Sequence, residues 1–478
     1  MAAFSLYLAF LHYQEPREIN EQRRLPNLKW SKRANSDGEQ NFDILLHQNA
    51  FDVVGETTDP AIARRFGAQS TDVVVGNPPW GSPKNNDQPG RIALRRTIEW
   101  TQEKLSRTIG DKEWSQAFIH LALELVRDSG VVGLLVSSGV LFKHHQKSRE
   151  FRHIWLSNTR LEHVVNFAQV RYLFFRGESR KTEAIAPFVA TIFRKAAPGP
   201  DNRFAYWSAK RTAFVESSQA VVLSRGDMHW LQQADCVNDE RLWKIYWWGS
   251  HRDEALVRSV ERFPRLIELP NRIPGARVTA DIGFVEGKIG RKPSGWLREF
   301  KELPVEWLER YTAPPLSCLR KTPGYVRRRG TREAYEGHRL LVRRGIPGTG
   351  RITARLETRR LSFRHSIFAI RLIGFESWQE KTILGIFWSS LARYYLFLTT
   401  GSWGMWHDEL NMEIAQGLPI ALPDDPTVRA RLVNIVERLQ GTSVASDKLV
   451  LRSLTIGVLS ASLRDSGGVS LLMSVFVQ

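Results

Sequence analysis

Thr71-Asp72-Val73-Val74-Val75-Gly76-Asn77-Pro78-Pro79-Trp80 is the stretch that decides how this sequence is read. Its first six residues are a β-branched run closed by glycine, the pattern of an inner strand buried in a mostly parallel sheet. The run leads straight into an asparagine, two prolines and an indole. Proline has a fixed φ and no N–H, so the turn is stiff and its carbonyls lack local donors. The Asn77 amide offers an acceptor and donors, and Trp80 a flat apolar face. An exocyclic amine such as N6 of adenine, set beside this turn, would find two acceptors: the Asn77 side-chain oxygen and the Pro78 carbonyl. Held there, its lone pair is available for attack on a methyl group, and Trp80 can stack on the base. The amine of a paired base is out of reach, so the nucleotide must first leave the duplex.

On both sides of the turn, strands and helices alternate. Residues 41–55 carry two short apolar runs around a polar break. Residues 114–127 have helical spacing and are stopped by Asp128-Ser129-Gly130; residues 131–136 form a buried strand, 145–157 a helix, and 162–168 and 185–194 two more strands. This succession predicts an open α/β sheet, with Asn77 to Trp80 beyond a strand's carboxyl end, where such sheets bind ligands. Met1 to Leu11 reads as a buried helix, with no basic residue ahead of it and no small-residue cleavage site behind. Residues 196–202 form a turn-rich boundary, 203–275 are irregular and rich in tryptophan, 376–399 read as one long helix, and 427–440 as an amphipathic helix. The expected division is a catalytic domain over 1–200, a connector over 201–275, a recognition domain over 276–425, and a tail over 426–478 of unassigned role.

The chain has 478 residues, 68 Lys and Arg against 50 Asp and Glu, and a net charge of +18. Cys236 and Cys318 are the only cysteines, too few for a disulfide framework, which points to a reducing cytoplasm. The longest apolar runs, such as Gly130–Phe142, fall short of the roughly 20 residues that span a bilayer. The charge is local. Arg320 to Arg360 holds 13 basic residues, 12 of them Arg, against three acids, a net +10 that leaves only +8 for the rest of the chain. Arginine's planar fork suits phosphates and guanine edges, so this segment is expected to bind DNA through Arg327, Arg328, Arg329, Arg343 and Arg344. Trp403 and Trp406, in a glycine-rich stretch beside His407, are candidates for contacts to bases. Motifs for zinc proteases, P-loops and serine hydrolases are missing, His144-His145 has no third ligand in view, and no metal is expected.

The segment Asp72 to Trp80 resembles the central motif of the N6-adenine DNA methyltransferases, and more narrowly the large restriction–modification type whose methyltransferase domain precedes a target-recognition domain. Residues 116–142, 186–195 and 386–420 resemble, less specifically, the helix–Gly–strand segment after that motif, the strand closing its sheet, and the helix and loop of its recognition domain. The resemblance implies a Rossmann-like methyltransferase sheet followed by a mixed α/β recognition domain. It implies S-adenosylmethionine as methyl donor, double-stranded DNA with a flipped adenine as substrate, and Asn77, Pro78, Pro79 and Trp80 as the catalytic group. In that family a Gly-rich loop for the donor lies upstream of the motif. Residues 1–76 contain no aromatic-x-Gly-x-Gly, so the sheet is expected to be N-terminally incomplete and the isolated chain to bind the donor weakly. Gly345 to Gly350 is the only later candidate, in a circularly permuted arrangement; a turn in the recognition domain is the favoured reading. Asn49 and Phe51 match the position of the turn that packs on the donor's adenine, with a core role for Phe51 equally compatible. The alternative to an enzyme is a DNA-binding subunit or fragment that needs a second chain supplying the donor loop, or that is paired with a nuclease.

Overall fold

The computed structural model describes residues 49–53, 67–82, 88–174, 186–287, 289–348, 350–401, 403–405 and 408–440. The helix expected over 1–11, the apolar run 42–46, Trp406, His407 and the tail 441–478 lie outside the described residues.

The valine run forms β1 (Thr71–Gly76), which pairs in parallel with β2 (Val126–Ser137), Val74 opposite Val132 and Gly76 opposite Leu134. Four further strands complete a six-stranded sheet: β3 (Arg160–Asn166), β4 (Phe188–Arg194), β5 (Arg203–Ser208) and β6 (Met228–Gln232), in the spatial order β1-β2-β4-β3-β5-β6. The pairings make β1, β2, β3 and β5 run one way and β4 and β6 the other. The connection from β1 to β2 carries α1 (Gln88–Ile98) and α2 (Trp114–Leu125); α3 (Gln146–Asn158) links β2 to β3. Ile119, Ala122, Phe151 and Trp155 from these helices bury Val132, Leu134, Val136 and Phe193 of the sheet in one cluster.

Among the described residues, the opposite face is only partly covered. Register aligns Val75, Gly133, Ile192, His163, Ala205 and Trp230 in a row across all six strands. Within that row Val75 is 79%, Ile192 37% and Trp230 60% exposed. The expectation that 72–76 form a buried inner strand is therefore corrected: among the described residues β1 is the outermost strand and only Val74 packs into the core. A β-branched run reports that a strand forms and is apolar, not that both its faces are covered.

Two boundaries also move. The turn at 196–202 does not end the sheet, because β5 and β6 add to it from within the expected connector. The single helix expected over 376–399 is two, α5 (Ser377–Trp388) and α6 (Ser390–Thr399), with α4 (Leu242–Trp248) packed on the second. Ser389, at ψ 149°, breaks the helix, and its Oγ caps the new N-terminus by accepting from the Ala392 N–H at 3.0 Å. Serine competes for backbone hydrogen bonds in this way, which apolar periodicity does not register.

A second sheet of four antiparallel strands, β7 (Arg277–Ile282), β8 (Arg339–Arg343), β9 (Ala354–Glu357) and β10 (Ile367–Ile373), has the order β9-β8-β10-β7. Leu341 and Ala369 face a core of their own with Phe284, Leu297, Phe300, Tyr335 and Phe363. Leu340, Val342 and Ile370 face the main core, joined by α7 (Pro426–Leu439). Gly345 to Gly350 lie in the loop between antiparallel β8 and β9, a hairpin of the second sheet. No helix among the described residues is long and apolar enough to cross a membrane.

Candidate functional site

The turn after β1 is fixed at three points and open at a fourth. Trp80 donates its indole N–H to the Leu135 carbonyl at 3.0 Å, on neighbouring β2. Its ring stacks on Phe188 of β4, centroids 5.1 Å apart and planes 19° apart, and Phe188 stacks in turn on Phe167 at 5.4 Å. Gly81, at φ +79°, accepts from the Trp114 N–H at 2.9 Å, and the Ser82 hydroxyl donates to the Asp111 carbonyl. Positive φ favours glycine here. Pro78 is buried, Pro79 exposed, and Asn77 exposed with its amide engaged by no described group. Asn77 to Trp80 thus form a braced turn whose one uncommitted amide faces outward beyond the carboxyl end of β1.

The brace has its own support, which no sequence motif flags. Asp111 and Lys112 sit at φ 52° and 55°, costly for residues with a Cβ. Lys143, just past the carboxyl end of β2, places its ammonium 3.1 Å from both Asp111 and Glu113. Glu113 is 1% exposed, and Gln116 also reaches it, at 3.5 Å. Burial pulls Lys143 down, but the two carboxylates, Glu113 first, outweigh it and hold its pKa above the ordinary lysine value. The one available signal was weak: a cation directly after the apolar run that leaves the strand.

The residues expected against the donor's adenine are placed otherwise. Asn49 accepts the Phe51 N–H at 3.0 Å through Oδ1, capping a short turn. Phe51 is 6% exposed and packs on Trp100 at 5.2 Å and Phe118 at 5.0 Å. Its ring is core, so Phe51 has no open face for the adenine contact foreseen for it.

The basic segment separates into braces and free heads. Arg339 is 1% exposed and donates to the Gly337 and Arg359 carbonyls; burial lowers it to about 10, still charged. Arg359 pairs with Glu357 at 2.6 Å, Arg320 with Glu306 at 2.7 Å, Arg332 with Glu299 at 2.6 Å, and Arg344 with Glu409 at 2.9 Å. Arg360 lies 3.5 Å from Glu299 and Glu336, and Arg355 donates to the Tyr311 carbonyl. Of the expected DNA contacts, Arg327 is exposed and Arg343 half-buried, neither side chain in an ion pair or hydrogen bond among the described residues, while Arg328 and Arg329 lean on the Gly283 and Pro293 carbonyls at 3.4 and 2.7 Å. Net charge counts guanidinium groups; it does not show that several of them hold the fold together. Trp403 is corrected as well: at 4% exposure it packs edge-on against Phe397 and has no face for a base.

Residues 1–174 match the family model described as Eco57I restriction-modification methylase. No curated protein matches the chain. Among solved structures, the chain is similar to the type IIL restriction-modification enzyme MmeI in complex with DNA, at 10% identity and a TM-score of 0.51, covering 89% of this chain and 58% of that one. It is also similar to the type IIG restriction endonuclease BpuSI, at 14% identity and a TM-score of 0.31, covering 81% of this chain and 54% of that one. The chain therefore spans little more than half the length of either. The likeness to MmeI is one of fold. Residues 1–174 are thus similar in sequence to a restriction-modification methylase, and the chain is similar in fold to a restriction-modification enzyme.

Proposed function

We propose that this chain is a DNA methyltransferase of the restriction–modification kind, acting on N6 of adenine. The observation that carries the reading is the braced turn beyond β1, with the Asn77 amide left exposed. The Asn77 Oδ1 and the Pro78 carbonyl accept the two amine N–H bonds. This holds the nitrogen in place and keeps its lone pair out of conjugation as the new bond forms. Trp80, anchored on Leu135 and Phe188, is a rigid wall for the flipped base. S-adenosylmethionine supplies the methyl group when bound; Phe51, buried in the core, does not fit it, and no step is assigned to Asn49 or Phe51. The basic segment binds the phosphates, through Arg327 and Arg343 before the paired arginines.

The test is tritium transfer from labelled S-adenosylmethionine to a DNA library. Asn77→Ala is expected to lower transfer by about a thousandfold, the scale of losing one preorganised contact to the reacting group, with the DNA dissociation constant within threefold of wild type. Undiminished transfer by Asn77→Ala removes the residue from the chemistry. A second reading, a DNA-binding subunit that needs a partner chain, is favoured by the uncovered sheet face at Val73 and Val75. Tight DNA binding by the isolated chain, without transfer and without calorimetric binding of S-adenosylmethionine, would select it.

A further inference from the structure

Lys244 sits in Leu242-Trp243-Lys244-Ile245, a helix whose neighbours on either side are fully buried, and is itself 2% exposed. An ammonium is costly in such a place unless it is satisfied. Its partners are not carboxylates. Nζ donates to the carbonyls of Thr400 and Trp403, the latter at 2.5 Å, and lies 4.8 Å from the centroid of the Phe397 ring. Burial brings it down to about 7, with Asp408 pulling the other way. All three contacts fall on the end of α6 and the loop after it, more than 150 residues away in sequence.

That loop joins the two halves of the molecule. A Cβ on Gly401 would collide with the Phe142 carbonyl and lie 2.9 Å from His144 Nε2, so the loop rests directly on the segment that leaves β2 at the catalytic end of the sheet. A few residues on, the Asp408 carbonyl accepts from the Ile346 N–H at 2.7 Å, and the Leu410 N–H donates to the Arg344 carbonyl at 2.8 Å. Gly401 therefore rests on the sheet side and Asp408 and Leu410 on the arginine-bearing hairpin, with Lys244 holding Thr400 and Trp403 as a two-carbonyl clamp.

We propose that Lys244 is a positioning residue, whose clamp on Thr400 and Trp403 seats this loop so that DNA held by Arg343 on the hairpin presents its nucleotide at Asn77. The proposal rests on the DNA methyltransferase reading for its consequence in turnover, but its physical core is tested without it. Lys244→Met keeps the apolar stem and removes the donors. Hydrogen exchange should then speed at least tenfold in peptides carrying Gly404 and Leu410, with β2 and β4 unchanged. The dissociation constant for a short duplex, read by fluorescence anisotropy, should rise at least tenfold, and where transfer is measurable KM for DNA should rise while kcat stays within threefold. Gly401→Ala unseats the loop from the other side with Lys244 intact and should weaken DNA binding equally; it decides the matter if Lys244→Met does not fold. Exchange and affinity within twofold of wild type would overturn the proposal. An inactive wild type that still shows the exchange and affinity changes would overturn the methylation reading and leave the clamp standing.

Discussion

Asn77 is exposed and uncommitted because other residues carry the turn, so its neighbours should matter in a different way. Lys143 touches neither Asn77 nor any ligand position; it neutralises Asp111 and Glu113, on the segment whose Asp111 carbonyl holds Ser82 and whose Trp114 N–H holds Gly81. Lys143→Met leaves Glu113 buried with only Gln116 for company. It should cost about 1–3 kcal/mol of stability, the price of an unsatisfied buried group, and lower kcat about tenfold with unchanged DNA affinity. Urea denaturation and single-turnover kinetics read the two effects; an unaltered kcat would mean that the turn holds its geometry without this support. Two histidines set the acid limit. Burial first and Arg107 second lower His120 to about 3, and burial lowers His144 to about 4 despite the opposing pull of Glu240. Both are neutral when folded and take up protons near pH 6.5 when unfolded. The stability they permit is complete above pH 6.5 and falls as pH drops from there toward 4, by about 1.4 kcal/mol per unit for each. His120→Leu should roughly halve the loss between pH 6.5 and 5, measured by urea midpoints; an equal loss in the variant would assign the acid lability elsewhere. The strand at 71–76 and the turn after it were legible in sequence because their pattern is local. Phe51, Trp403 and the Lys143 brace were not, because burial and partners across the fold decide them.

Strands and helices that repeat an apolar period could be read to within a few residues: β1, α3 and β3 lie close to where periodicity puts them. Failures occur where a single polar contact overrules the period, as at Ser389, or where pairing is remote, as for β5 and β6. Ser389→Ala should cost about 1 kcal/mol through loss of the cap on Ala392. The arginine segment shows the same limit, since its density is plain in sequence but its division of labour is not. Arg327→Ala and Arg343→Ala should each reduce the dependence of log affinity on log salt by about one ion, with thermal stability unchanged. Arg332→Ala and Arg360→Ala, which remove partners of Glu299 and Glu336, should leave the slope alone and shift the melting temperature instead. Equal slope changes for all four would mean that the ion pairs open on DNA.

Among the described residues the largest core runs from α2 and α3 through α4 into α5 to α7, so the six-stranded sheet and the second sheet share packing rather than sitting on either side of a linker. Against that shared core, the exposed face of the six-stranded sheet is an anomaly: Val73 at 56%, Val75 at 79%, Ile192 at 37% and Trp230 at 60% exposure lie on strands whose other face contributes Val74, Phe193 and Leu231 to the core. Apolar surface left in water contributes nothing to folding at about 25 cal/mol per Å² and invites association. Replacing Val73, Val75 and Ile192 by threonine and Trp230 by glutamine should therefore change the unfolding free energy of the isolated chain by no more than about 0.5 kcal/mol per site. The same variant should bind less of a hydrophobic dye and stay monodisperse at higher concentration in light scattering. A loss of several kcal/mol would show that the face is packed in solution after all. An unchanged stability together with lost methyl transfer would show that something must dock on this face before the turn at Asn77 can act.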